Sequence, residues 1–256
     1  MIANYHTHTH RCNHAIGREE DYVKEALKAG LKILGWADHA PYIFPNGYYS
    51  HFRMRPIQFP GYVQTIQELR KQYRGQIDMP IGLEMEYYPD HFQELLAFLR
   101  DYPLDYMILG QHFVGNEYDS PYCGHYTEDK DMVVRYCRQS MEAMNTGLFT
   151  YFAHPDLIHY RGDWKFYQKT IRPMCAEAKS CGIPLEINLL GLGSGRHYPN
   201  RVFWEAAAEE GCDVILGCDA HSPQALNVPQ VEQEALELVR EFDMNLLDTV
   251  SLRSIQ

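Results

Sequence analysis

Leu31-Lys32-Ile33-Leu34-Gly35-Trp36-Ala37-Asp38-His39 holds the pattern on which the rest of the chain is built. An apolar, strand-like run ends in two potential metal ligands and breaks at once into a turn at Ala40-Pro41. Before it, Glu19–Ala29 places Tyr22, Val23, Ala26 and Leu27 at helical spacing, with charges between them. Gly30 follows as the expected helix cap. The same helix, glycine and strand recur in Tyr167–Cys181, Gly182 and Ile183–Ile187, and again in Trp204–Glu210, Gly211 and Val214–Cys218. Further strands are expected at Met1–Tyr5, Met79–Leu83, Tyr106–Leu109 and Thr150–Ala153. Repeated βα units predict an α/β fold with a largely parallel sheet. Seven strands are marked and an eighth is not evident, so a distorted or incomplete barrel fits better than a regular eight-fold one.

The 256 residues suit a single barrel-sized domain, 1–256, with no Pro-, Gly- or Ser-rich linker dividing it. The net charge of −11 argues against general binding to nucleic-acid polymers or to membrane surfaces, which are themselves polyanionic. Met1–His6 shows no basic and apolar leader, and no later run approaches ~20 apolar residues, so a cytoplasmic location is expected. The seven cysteines include no CxxC pair and read as reduced, mostly buried residues. Cys12 lies among histidines, where a supporting or structural neighbour is favoured over a ligand. The long stretches Pro41–Pro60 and Gly115–Lys130, rich in Tyr and Phe, read as lids or binding walls.

Nine candidate ligands lie where apolar runs end: His6, His8, His14, His39, Glu84, His112, His154, Asp219 and His221. Side chains alternate along a strand, so His6 and His8 face the same way and can share a metal. The alternation runs out into an expected turn at His10, which is left out. A carboxylate such as Glu84 can bridge two cations, which a histidine cannot. Glu86 shares its alternation, and the pair reads as one ligand and one supporting partner. A barrel gathers strand ends at one rim, so ligands distant in sequence can meet there. Nine are too many for one ion, and a two- or three-metal hydrolytic site is expected.

His6-Thr7-His8, His14, Asp38-His39, Gly82-Leu83-Glu84, Gln111-His112, Ala153-His154-Pro155-Asp156 and Asp219-Ala220-His221 together resemble the ordered motifs of the polymerase-and-histidinol-phosphatase (PHP) superfamily. The similarity is greatest to its histidinol-phosphate phosphatases, notably in the Cys12-Asn13-His14-Ala15 block. The resemblance implies a distorted (β/α)7, TIM-barrel-like fold with three divalent metal ions (Zn, Fe or Mn) at the C-terminal rim. By motif, the nine residues carry over as ligands, with Glu84 as the bridge. The implied activity is hydrolysis of L-histidinol phosphate in histidine biosynthesis, alternatively of another small phosphomonoester or a nucleotide phosphodiester.

A hydroxide held between metals about 3.5–4 Å apart would attack phosphorus in line. Asp219, or a metal-bound water acting through His221, would protonate the leaving alkoxide. Arg161 and Arg196 are candidate phosphate clamps, since a guanidinium matches phosphate bidentately, and His39 is a further candidate contact. Glu86, Tyr42 or Phe113 could hold the imidazole and ammonium of the substrate. Gly191-Leu192-Gly193-Ser194-Gly195 reads as a flexible rim loop. Phosphatase relatives tend to carry an arginine soon after the Asn-x-x-Gly turn, where this chain has Gly193 and reaches only Arg196. The expected partner is a small-molecule phosphate ester, and a homo-oligomer stays open.

Overall fold

The computed structural model describes residues 1–254. Its strands are β1 (Ala3–Asn4), β2 (Ile33–Leu34), β3 (Trp36–His39), β4 (Ile81–Met85), β5 (Tyr106–Leu109), β6 (Leu185–Asn188), β7 (Asp213–Gly217) and β8 (Asn245–Leu246). They pair in parallel as β1-β2, β3-β4-β5 and β6-β7-β8. The α-helices are α1 (Glu19–Lys28), α2 (Phe59–Gln72), α3 (Phe92–Leu99), α4 (Lys130–Asn145), α5 (Trp164–Ser180), α6 (Leu189–Gly193), α7 (Arg201–Glu209) and α8 (Pro229–Glu241). Among the described residues, no helix is long and apolar enough to cross a membrane.

The three helix–glycine–strand units form as expected, each for a local reason. Gly30, Gly182 and Gly211 follow α1, α5 and α7 with φ of 84°, 60° and 68°, the left-handed conformation that ends a helix. Asp163 caps α5 by accepting from Lys165 N at 3.0 Å, and Asn200 caps α7 by accepting from Val202 N at 3.0 Å.

Several boundaries differ from expectation. The run through Gly35 is split into β2 and β3, and β4 lies two residues later than Met79–Leu83. His39 and Glu84 therefore stand inside their strands and face each other as register partners. Thr150–Ala153 forms no strand; Phe152 alone makes isolated bridges, to Leu109 on one side and Leu185 on the other. An eighth strand does exist, β8, pairing with the start of β7 at Asp213 and Val214. The Gly191–Gly195 stretch is not simply a loop, because α6 runs to Gly193 with Asn188 Oδ1 accepting from Gly191 N at 2.8 Å.

Strand alternation divides the apolar residues into two cores. Ile81, Leu83, Met85, Met107 and Leu109 pack with helix residues such as Tyr62, Ile66 and Leu95. A smaller cluster joins Tyr5, Ala37, Tyr106, Ile108, Tyr151, Ala153 and Ile215 from different strands. Tyr106 organises it: its hydroxyl donates to Tyr5 O at 2.6 Å and Trp36 O at 3.1 Å. Its ring lies over Gly82, where any Cβ would overlap it. Gly82→Ala should therefore destabilise the protein by about 3 kcal/mol, the upper end for overpacking, read as a lower denaturant midpoint with unchanged slope.

Candidate metal centre

Glu84 lies at the middle of the strand ends, 1% exposed. Its Oε1 is 2.8 Å from His154 Nε2 and 3.3 Å from His112 Nε2. Its Oε2 is 2.9 Å from His39 Nδ1 and 3.6 Å from Nε2 of both His6 and His8. One carboxylate thus divides five histidines between its two oxygens. Gly110, just past β5, makes this room, since a Cβ there would overlap the Glu84 carboxylate.

Asp219 forms the second focus. Its Oδ1 is 3.1 Å from His8 Nε2, 3.3 Å from His221 Nδ1 and 3.5 Å from His6 Nε2. His221 Nε2 meets His14 Nε2 at 2.8 Å, so the outer two histidines converge as well. All nine expected ligands are therefore brought into one cluster. His154 and Asp219 have φ of 32° and 48°, in the left-handed region that is costly for such residues. Strain of this kind persists where surrounding structure fixes the residue, and here it aims two candidate ligands.

The donor set fits divalent cations. His6 Nε2, both nitrogens of His8, His39 Nδ1, His154 Nδ1 and Glu84 Oε2 are buried without a well-directed hydrogen bond, although His39 Nδ1 and Glu84 Oε2 lie 2.9 Å apart and His8 Nε2 lies 3.1 Å from Asp219 Oδ1. Such atoms are ordinarily satisfied, and imidazole with carboxylate suits Zn, Fe or Mn. Triads such as His6–Glu84–His154, His6–His8–Asp219 and His14–His39–His221 each offer atoms within 4.8 Å of one another. Cys12 lies with His8 and His221 within the same limit, beside the cluster.

Burial pushes His39 well below its usual range, and burial with the nearby His8 pushes His221 down to about 3. Both are thus held as the neutral imidazole that ligates metal. Burial opposes charge on His6 too, but Glu186, Asp219 and Glu84 overcome it and hold His6 up at about 10. Burial would raise Glu84, yet His112, His39 and His6 hold it well below the usual carboxylate range.

A supporting layer fixes the rings. Glu186, fully buried in β6, accepts from His6 Nδ1 at 2.8 Å and from His154 N at 3.0 Å. Asn188 Nδ2 donates to Glu186 Oε2 at 3.0 Å and to Asp219 Oδ2 at 3.2 Å. Asp38 accepts from Thr9 N at 3.1 Å and lies 3.5 Å from His8 Nδ1. Glu86 Oε1 accepts from His112 Nδ1 at 2.8 Å. Neither Glu186 nor Asn188 was singled out from sequence; the signal available was their alternation at the end of a ligand-bearing type of strand.

The cluster opens into a cavity of about 500 Å³. Phe52, Phe113, Tyr122, His125, Tyr198 and Arg196 are on its wall beside the ligands. Arg196 Nη1 donates to the Tyr198 hydroxyl at 2.7 Å. Arg161 does not line this cavity: it borders a neighbouring hollow with His197 and Arg201, its Nε donating to His159 Nε2 at 3.1 Å. Glu86 and Tyr42 are not on the wall either. Both are buried, and the Tyr42 hydroxyl donates to Glu86 O at 2.6 Å.

Because Glu186 sets the ring of His6, Glu186→Gln should weaken metal retention roughly 10–100-fold. Equilibrium dialysis against a series of free-metal concentrations measures it; unchanged retention would deny Glu186 this role.

The PHP domain family matches residues 4–189. A Deinococcus radiodurans protein named "Probable histidinol-phosphatase" is 30% identical over 232 residues, covering 87% of each chain. A Schizosaccharomyces pombe protein of the same name is 25% identical over 260 residues, covering 89% of this chain and 83% of its own. Among solved structures, histidinol phosphate phosphatase from Lactococcus lactis, complexed with Zn, L-histidinol and phosphate, is similar with a TM-score of 0.76. That likeness covers 97% of this chain and 96% of the other at 20% identity, and it shows a shared α/β fold. With the match spanning most of the clustered ligands and the fold alike throughout, this chain belongs to the PHP domain family.

Proposed function

We propose that the protein is a metal-dependent phosphomonoesterase that hydrolyses L-histidinol phosphate to L-histidinol and phosphate, a step of histidine biosynthesis. The observation that carries this reading is Glu84 set between five histidines at the floor of a cavity that also holds Arg196. The names of the two curated relatives and the L-histidinol and phosphate bound to the L. lactis enzyme support the substrate.

His6, His8, His14, His39, Glu84, His112, His154, Asp219 and His221 would hold three divalent ions, with Zn, Fe or Mn compatible with the donors. When bound, such ions act as Lewis acids toward phosphoryl oxygens and make water a nucleophile near neutral pH. Glu84 offers an oxygen to each side of the cluster, which suits it to bridging. Arg196 would clamp the phosphate through its planar guanidinium. Arg161 can serve as the second clamp only by leaving His159 for the cavity. His39 lies on the cavity wall, where it could contact substrate as well as metal. The leaving alkoxide would take its proton from water, positioned by Asp219 or acting through His221, adjoining groups on the same wall whose own pKa values are both held low. Phe52, Phe113, Tyr122 and His125 give the imidazole flat surfaces to stack on.

We further read residues 1–256 as one domain with strands closed into a distorted (β/α)7 barrel. Phe152 supports this by joining β5 to β6: Leu109 N donates to Tyr151 O at 3.0 Å and Glu186 N to Phe152 O at 2.9 Å. On the opposite side, His8 N donates to Ala220 O at 3.0 Å and Ala220 N to His6 O at 3.1 Å. These bonds connect the chain after β7 to the chain after β1. One core cluster also runs from Tyr22 to Met244.

Phosphate release after reconstitution with each metal tests the activity, using L-histidinol phosphate, simple phosphomonoesters and a phosphodiester side by side. A preference for L-histidinol phosphate is expected; equal turnover of all monoesters, or faster turnover of the diester, would overturn the substrate. Arg196→Ala should lower kcat/KM about 100-fold, equivalent to ~3 kcal/mol, and Arg161→Ala by less. The reverse order would reassign the principal clamp to Arg161.

A further inference from the structure

Arg53 is buried, 1% exposed, in the aromatic segment that follows β3. Its Nη1 donates to Ala40 O at 2.6 Å, its Nε to Glu117 Oε1 at 3.1 Å, and its Nη2 to Glu86 Oε1 at 3.1 Å and to Glu117 Oε2. Glu117 is held in addition by the Tyr88 hydroxyl at 3.1 Å. The Glu86 oxygen that meets Arg53 is the one that accepts from His112 Nδ1 at 2.8 Å. That bond fixes the imidazole tautomer and turns Nε2 toward Glu84. A continuous path of charged hydrogen bonds therefore runs from this segment to one candidate metal ligand.

The same segment is tied to the residue beside a second candidate ligand, His14. Asn13, directly before His14, donates through Nδ2 to the Tyr49 hydroxyl at 3.1 Å and to His51 O and Arg53 O at 3.2 Å each. Between these two ties stands Phe52. Its ring lies 5.2 Å edge-on from His39, and 5.7 Å from Phe113, against which it stacks. The guanidinium of Arg53 lies 4.5 Å from the centre of the Phe52 ring.

We propose that Arg53 is a positioning residue that couples the cavity wall to the metal cluster: one side chain fixes where Phe52 stands and, through Glu86, how His112 is presented. This rests on the metal-centre reading above. It goes beyond it in linking substrate fit and ion retention through a residue that touches neither. Loss of Arg53 should loosen one ion selectively, because only His112 of the cluster is held through this path, and should weaken binding of the imidazole-bearing end of the substrate.

The test is stepwise chelator competition on the metal-reconstituted protein, without substrate, followed by kinetics. Arg53→Met/Glu117→Gln removes one buried charge of each sign. It is expected to release one ion equivalent about 10–100-fold more readily than wild type, with the remaining ions retained. KM for L-histidinol phosphate should rise more than KM for a phosphomonoester lacking the imidazole. Phe52→Ala should reproduce the KM change but keep normal ion retention. If the double variant does not fold, Arg53→Lys carries the same test, since an ammonium cannot reach Ala40, Glu86 and Glu117 together. Normal retention, or simultaneous release of all ions, overturns the coupling alone. A wild-type protein that binds no ion overturns the metal-centre reading and the coupling with it.

Discussion

A carboxylate buried among five imidazoles governs this structure. Glu84 is 1% exposed, and burying an ionised carboxylate costs several kcal/mol unless it is compensated. Protons on the histidines cannot supply full compensation, because charges so close suppress one another. His39 shows the effect: burial and its histidine neighbours His8 and His112 push its pKa down despite the adjacent Glu84. Divalent cations held by these residues would resolve the conflict, offsetting the carboxylates and taking the lone pairs of imidazoles whose buried nitrogens make no directed hydrogen bond.

The architecture around Glu84 follows from the need to hold that cluster. Register pairing sets His39 opposite Glu84 across β3 and β4, and Gly110 clears space for the carboxylate. Left-handed backbone at His154 and Asp219 turns those side chains inward. Beyond them Glu186, Asp38 and Glu86 accept from or face the outer atoms of the histidines or their backbone, so ring orientation is fixed by a ring of acids. Glu84, Asp219, Glu186, Asp38 and Glu86 gather here, where bound cations would offset part of their charge.

Much of this was legible in sequence because strand alternation and strand ends are local patterns. His6 and His8 announce a shared face, and Asp38-His39, His112, His154 and Asp219-Ala220-His221 each follow an apolar run. Glu186 escaped notice because Leu185-Glu186-Ile187-Asn188 looks like any strand with one polar face. The Arg53–Glu86–Glu117 path joins residues 33 and 64 positions apart, a spacing with no local signature. Thr150–Ala153 has strand composition, but only Phe152 meets both neighbours in bridging geometry. Gly191-Leu192-Gly193 reads as a loop by composition, whereas the Asn188 cap holds it helical. Arg161 illustrates a different gap: proximity to His154 in sequence does not say which side of the backbone a side chain takes, and here it faces His159.

The most direct measurement is anomalous diffraction from crystals of the metal-reconstituted protein, collected at the absorption edge of the bound element. Three ion peaks enclosed by the nine residues are predicted, with at least two of the ions sharing Glu84 through its separate oxygens. A single peak, or peaks that leave Glu84 uncoordinated in protein that hydrolyses phosphate esters, would contradict a bridged polynuclear centre.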